Sequence, residues 1–183
     1  MKLSEINFAD EAFKDCVLAS GCENAEDVTE LVCRKKKIKD VAGIEYLTEL
    51  KFLDLTRNQL TSADLSKNTK LEEVFLGNNF LESLDIHNCS ALTHIEVFMN
   101  ELEAIDLSDN PLIEELWADM NSLSELDLSK TAELTDLRVS HNDLRGLDIS
   151  NNSKLTKIEI LENPLADAER DKLSACDSIK VKI

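Results

Sequence analysis

Aromatic, carboxylate and imidazole side chains crowd the middle of this 183-residue chain. Phe52, Phe75 and Phe98 follow one another at intervals of 23 residues, with Trp117 beyond them. Glu73, Glu96, Glu115 and Asp119 are interspersed among these rings, His94 stands 21 residues from both Glu73 and Glu115, and Met99, Met120 and Arg138 complete the set. Two kinds of chemistry could come from such residues. A histidine flanked by acids can shuttle a proton or hold a metal ion. Aromatic rings rimmed by carboxylates instead suit a partner whose apolar parts cover the rings while its Arg or Lys side chains pair with the acids. Catalysis also needs a nucleophile beside a base, or paired acids in a cleft. Neither pattern occurs, and His87 and His141 fall out of register with His94. The set reads as a binding surface, with no catalytic residue, metal or cofactor.

What would position these residues is a repeat. Asn58, Asn79, Asn100, Asn121, Asn142 and Asn163 recur every 21 residues, and so do aliphatic positions around them. Each unit opens with one such residue (Leu50, Leu71, Leu92, Ile113, Leu134, Leu155), has a second three positions on (Leu53, Val74, Ile95, Leu116, Leu137, Ile158) and a third two beyond that (Leu55, Leu76, Val97, Ala118, Val139, Ile160). A fixed period of this length and spacing is the signature of a leucine-rich repeat. Residues at i and i+2 share one face of a strand, so each unit buries one side, and successive coils must stack to enclose it. The strands then form a parallel sheet. A buried asparagine column can satisfy the backbone groups left where each coil turns away.

Alternation assigns the outward columns of that sheet. The first is Phe52, Glu73, His94, Glu115, Asp136 and Lys157, the second Asp54, Phe75, Glu96, Trp117, Arg138 and Glu159. Phe98 and Asp119 belong to a third, followed by Met99 and Met120. Phe52, Phe75 and Phe98 thus form a diagonal, with neighbours about 8 Å apart given strand spacings of about 4.8 Å. An apolar stripe on an uncovered sheet face marks a binding surface. The alternative is self-contact, with Trp117 stacked on Arg138 of the next strand.

The ends read as caps. Residues 1–27 form an N-terminal helical cap in which Asn7 caps a helix presenting Phe13, Cys16 and Val17 on one face. Residues 28–165 carry the repeats, beginning with an atypical unit of 22 residues in which Lys36 replaces the asparagine. Residues 166–183 form a C-terminal helix–strand cap. Leu165, Ala168, Leu173 and Cys176 are available to cover the core, Ile179, Val181 and Ile183 point inward, and Lys180 and Lys182 guard the sheet edge. Asp64, Asp85, Asp106, Asp127 and Asp148 form a convex column suited to turn hydrogen bonds rather than calcium. Cys33 points into the core beneath the cap helix and is a candidate disulfide partner for Cys16, with Cys22 as competing partner or free thiol. Cys89 and Cys176 read as single thiols.

A formal net charge of −17 argues against a nucleic-acid partner. It suits a cationic protein, or simply keeps a long exposed surface soluble. No run of apolar residues is long enough to span a membrane. Met1 is followed by Lys2, Glu5 and Asp10 rather than by the apolar core of a signal peptide. That leaves a cytoplasmic protein, or one written without its leader.

The stretches "INFADEAFKDCV", "GIEYLTELKFLDLTRNQLTSADLSKNTKL" and "LDISNNSKLTKI" resemble bacterial leucine-rich repeat proteins with 21-residue units, the internalin-like and related cell-surface families. The resemblance covers nearly the whole chain. It implies an α/β solenoid: a right-handed superhelix with a parallel concave β-sheet of about eight strands, an irregular convex side and helical caps. Some members carry a cysteine at the third inward position of every repeat, whereas here that column is aliphatic after Cys33. The resemblance also implies a secreted or cell-surface location and binding of host or neighbouring-cell proteins. The expected function is a monomeric, non-catalytic protein–protein interaction module whose partner carries basic groups. The alternatives are a carbohydrate-binding module, with Phe75 and Trp117 stacking on a glycan and Glu96 and Asp119 accepting its hydroxyls, or the repeat segment of a larger surface protein.

Overall fold

The computed structural model describes residues 1–176 and 179–183. Each coil contributes one three-residue strand to a parallel sheet: β1 Glu30–Val32, β2 Phe52–Asp54, β4 Glu73–Phe75, β6 His94–Glu96, β7 Glu115–Trp117, β8 Asp136–Arg138, β9 Lys157–Glu159 and β10 Lys180–Lys182. Among the described residues these eight lie side by side in chain order. The register advances by one repeat per strand, Phe52 opposite Glu73, Glu73 opposite His94, His94 opposite Glu115. On the opposite side β3 Ser62–Asp64 and β5 Ser83–Asp85 pair in parallel, a short second sheet where the sequence promised only irregular returns. All three aliphatic columns are buried.

The asparagine column links one coil to the next. Asn79 Nδ2 donates to Leu55 O at 3.1 Å and Leu76 O at 2.9 Å, and its Oδ1 accepts from Leu60 N at 3.1 Å. A second column does the same on the convex side: Asn68, Cys89, Asn110, Thr131 and Asn152 are all buried. Asn110 Nδ2 donates to Ile86 O and Cys89 O, and Cys89 Sγ to Leu65 O at 3.2 Å. Cys89 is therefore a rung of this column with 0 % of its surface exposed, and burial pushes its thiol up to about 12. The reactive species is the thiolate. At pH 8 in native buffer, iodoacetamide is expected to modify the partly exposed Cys22 and Cys176 and to spare Cys89 until the chain unfolds. Peptide mass mapping checks this, and rapid native labelling of Cys89 would contradict it.

The convex aspartates close turns. Asp64, Asp85, Asp106, Asp127 and Asp148 each accept from the backbone N–H two residues on, at 2.8–3.0 Å.

The N-terminal helix, α1 Glu11–Leu18, is capped by Asp10 rather than Asn7. One Asp10 oxygen accepts from Phe13 N at 3.0 Å and the other from Lys39 N at 2.8 Å. The same carboxylate thus starts the helix and ties it to the first coil, which Asn7, three residues earlier and exposed, does not. Phe8 meets Phe13 edge to face at 5.7 Å and lies against Gly43, where a Cβ would come within 2.5 Å of its ring. Cys16 and Cys33 are disulfide-bonded, with Cα atoms 5.9 Å apart.

At the other end, α2 Asp167–Ser174 buries Leu173, and Leu165 just before it is also buried. Ala168, expected on the covering face, is exposed. It precedes Leu173 by five positions, about 140° around a helix. Ile179, Val181 and Ile183 pack half-buried against the core while Lys180 and Lys182 point out. Among the described residues no helix is long and apolar enough to cross a membrane.

Candidate functional site

Five adjacent strands present a continuous stack on the concave face. Phe52 and Phe75 have ring centroids 5.2 Å apart, Phe75 and His94 5.1 Å, His94 and Trp117 5.3 Å. The guanidinium of Arg138 lies 3.6 Å over the Trp117 ring. The line zigzags because Phe52 and His94 occupy the first outward column and Phe75 and Trp117 the second. The expected diagonal from Phe75 to Phe98 does not form the stack. Phe98 folds over Gly77 instead, filling the space of a missing side chain: a Cβ there would sit 2.6 Å from two Phe98 ring atoms. The step from Phe75 is taken by His94, a member of the expected binding set that lies outside the expected diagonal of rings.

Charge is threaded through the stack. His94 Nε2 lies 3.2 Å from Glu96 Oε1 and Nδ1 3.7 Å from Glu115 Oε2. Glu96, two residues along the same strand, takes the place expected of Glu73. The contact to Glu96 has ion-pair distance without hydrogen-bond geometry, so Nε2 is a buried nitrogen with no hydrogen-bond partner, as is Trp117 Nε1. Arg138 donates to Asp136 at 3.0 Å, and Lys157 pairs with Asp136 at 3.2 Å and Glu159 at 3.0 Å. Burial pushes the Glu96 carboxyl above its usual range, against the pull of His94. Asp119 is likewise raised by burial, although its Oδ1 accepts from Ser140 N at 2.8 Å. Asp54, fully buried, is paired with Arg34.

The sequence-derived residues therefore divide in two. Phe52, Phe75, His94, Glu96, Trp117 and Arg138 come together in the stack. Phe98, Asp119, Met99 and Met120 lie farther along each coil, at the rim. Met99 and Met120 stand at the corner that ends each strand segment, with φ of 56° and 58°. A residue missed from sequence, Phe80, joins them: it is 51 % exposed. Its signal was available, because it follows Asn79 in a column otherwise made of Gln59, Glu101, Ser122, Asp143 and Pro164. Among the described residues no three His, Cys, Asp or Glu side chains converge as a metal-ligand set.

No protein-family model and no curated protein matches the sequence. Solved structures do. The functional domain of InlJ from Listeria monocytogenes, whose structure includes a cysteine ladder, superposes with a TM-score of 0.74 at 28% identity over 91% of this chain and 44% of its own. An internalin of the same organism, inlF, gives 0.77 at 25% over 91% of this chain and 53% of its own. The chain spans about half the length of these two proteins. Internalin C2, also from Listeria monocytogenes, gives 0.63 at 21%, covering 100% of this chain and 95% of the other, a likeness of fold. Here the column that begins with Cys33 continues as Leu55, Leu76, Val97, Ala118, Val139 and Ile160, so no cysteine ladder runs through it. With its 21-residue period, parallel concave sheet and these neighbours, the chain is a leucine-rich repeat solenoid similar to the bacterial internalins.

Proposed function

We propose that the concave face binds a protein partner bearing basic groups and that the chain is non-catalytic. The observation carrying this reading is the stack from Phe52 to Arg138 across five strands of a sheet face that no element of the described chain covers. Large flat rings flanked by acids supply the anchor residues and polar rim of a protein interface. The charge of −17 favours a cationic partner. A glycan is the weaker reading, because one face of Trp117 is already occupied by Arg138. The likeness to internalins supports a secreted or surface location, and the Cys16–Cys33 bond fits an oxidising compartment.

The test is to immobilise the protein and a Phe75→Ser/Trp117→Ser variant and compare what each captures from host-cell and bacterial extracts. A protein held by the first, released by salt and weakened about tenfold or more by the double substitution is expected. Equal capture by both would remove the stack from the interface. Salt-insensitive binding to glycans would favour the sugar reading.

A further inference from the structure

We propose that Phe80, Met99 and Met120 form a second docking surface, taking a protein segment in which Leu- or Phe-type side chains sit next to Lys or Arg. It is separate from the aromatic stack and does not depend on it.

Three observations meet at this rim. The first is exposure without structural cause. Phe80 is 51 % exposed, Met99 43 % and Met120 47 %, in a chain whose other large apolar side chains are mostly buried.

The second is backbone conformation. The corner position has positive φ in each coil from Arg57 to Glu162, a left-handed turn that asparagine tolerates better than a long aliphatic chain. Asn78 holds that position in one coil, while the next two place Met there. Neither the backbone nor the core asks for methionine at these corners. Its flexible, polarisable side chain suits an adaptable apolar contact with a partner.

The third is charge. Phe80 and Met99 line a shallow hollow of ≈ 350 Å³ together with Glu101. Glu101 also lines an adjoining hollow of ≈ 450 Å³ with Glu82, Glu103 and Ser122. Glu82, Glu101 and Glu103 are exposed, and no ion pair joins them to a cation among the described residues. An apolar side chain entering the first hollow would place a neighbouring Lys or Arg within reach of these carboxylates, in the manner of a basic amphipathic helix laid along a groove.

The full chain should be titrated with a fluorescein-labelled amphipathic Leu/Lys helical peptide, and in parallel with its Ser/Lys and Leu/Glu counterparts. The Leu/Lys peptide is expected to bind at least about tenfold more tightly than either. A Phe80→Ser/Met99→Ser variant should weaken it by about tenfold or more, and Phe75→Ser/Trp117→Ser should leave it unchanged. The chain has three methionines, so the Cε methyl signals give a readout that needs no variant. Those of Met99 and Met120 should shift on peptide addition and that of Met1 should not. Equal affinity for the Leu/Lys and Ser/Lys peptides, absence of binding, or unmoved Met99 and Met120 signals would overturn the proposal. Loss of binding in the Phe75/Trp117 variant alone would overturn it too and move the peptide to the concave stack, whose own test is the capture experiment.

Discussion

Replacing Asn58 by Ala is expected to lower folding stability by about 4 kcal/mol, and replacing Asn79 by about 2 kcal/mol, although the two occupy the same column. The difference follows from what each substitution leaves without a partner. Leu55 O and Leu76 O each accept from two asparagines, their own coil's and the next one's. Removing Asn79 therefore leaves both carbonyls with a remaining donor, Asn58 for one and Asn100 for the other, and strands only Leu60 N–H. Asn58 has a heavier task because Lys36 stands where the preceding coil would have its own asparagine. Its Nδ2 is the donor to Cys33 O at 2.8 Å, and its Oδ1 accepts from both Ile38 N at 3.2 Å and Lys36 N at 2.9 Å. Lys36 is exposed and water can reach its N–H, so two buried groups are abandoned, each worth about 1–3 kcal/mol. Urea unfolding with matched slopes checks the order. Equal losses would mean that the missing asparagine is replaced by solvent in the first coil.

The inward columns, the sheet register and the asparagine ladder were legible because they depend on period alone. Once Leu53 and Leu55 share a face, Phe52 and Asp54 must share the other, and the eight strands of the concave sheet pair accordingly. What the period could not supply is where long side chains go after leaving the sheet. Phe98 abandons the diagonal because Gly77, one coil back, offers a floor with no Cβ. His94 enters the stack because it lies between two rings, 5.1 Å from Phe75 and 5.3 Å from Trp117. The convex column was hidden by its changing chemistry: amide, thiol and hydroxyl alternate from Asn68 to Cys89, Asn110 and Thr131, and only burial reveals one shared role. Asp10 was overlooked as a cap because half of its work is done for Lys39, a residue 29 positions away. On the concave face, the sequence could place Trp117 beside Arg138 but not choose between display and self-contact. The structure makes the cation–π contact, with the Arg138 guanidinium 3.6 Å over the Trp117 ring.

Phe13→Ala is expected to cost about 3–5 kcal/mol, and its damage should be confined at first to one end of the molecule. Phe13 has 0 % of its surface exposed and anchors α1 over the open end of the core. A repeat array is held by nearest-neighbour contacts, so a defect in the cap is felt by the first coil before the rest. Native-state hydrogen exchange should therefore show the amides of β1 and β2 losing protection well before those of β7 and β8. The Cys16–Cys33 bond tethers the helix even when Phe13 no longer fills its place. A bridge closing a loop of this length, 17 residues apart in sequence, contributes about 3 kcal/mol by restricting the unfolded chain. Reducing the bond in the Phe13→Ala protein should then extend the loss of protection inward from β2. Uniform loss across all strands in the oxidised variant would show that the coils unfold as one cooperative unit. In that case the cap would stabilise the entire solenoid, and the polarity of the effect would disappear.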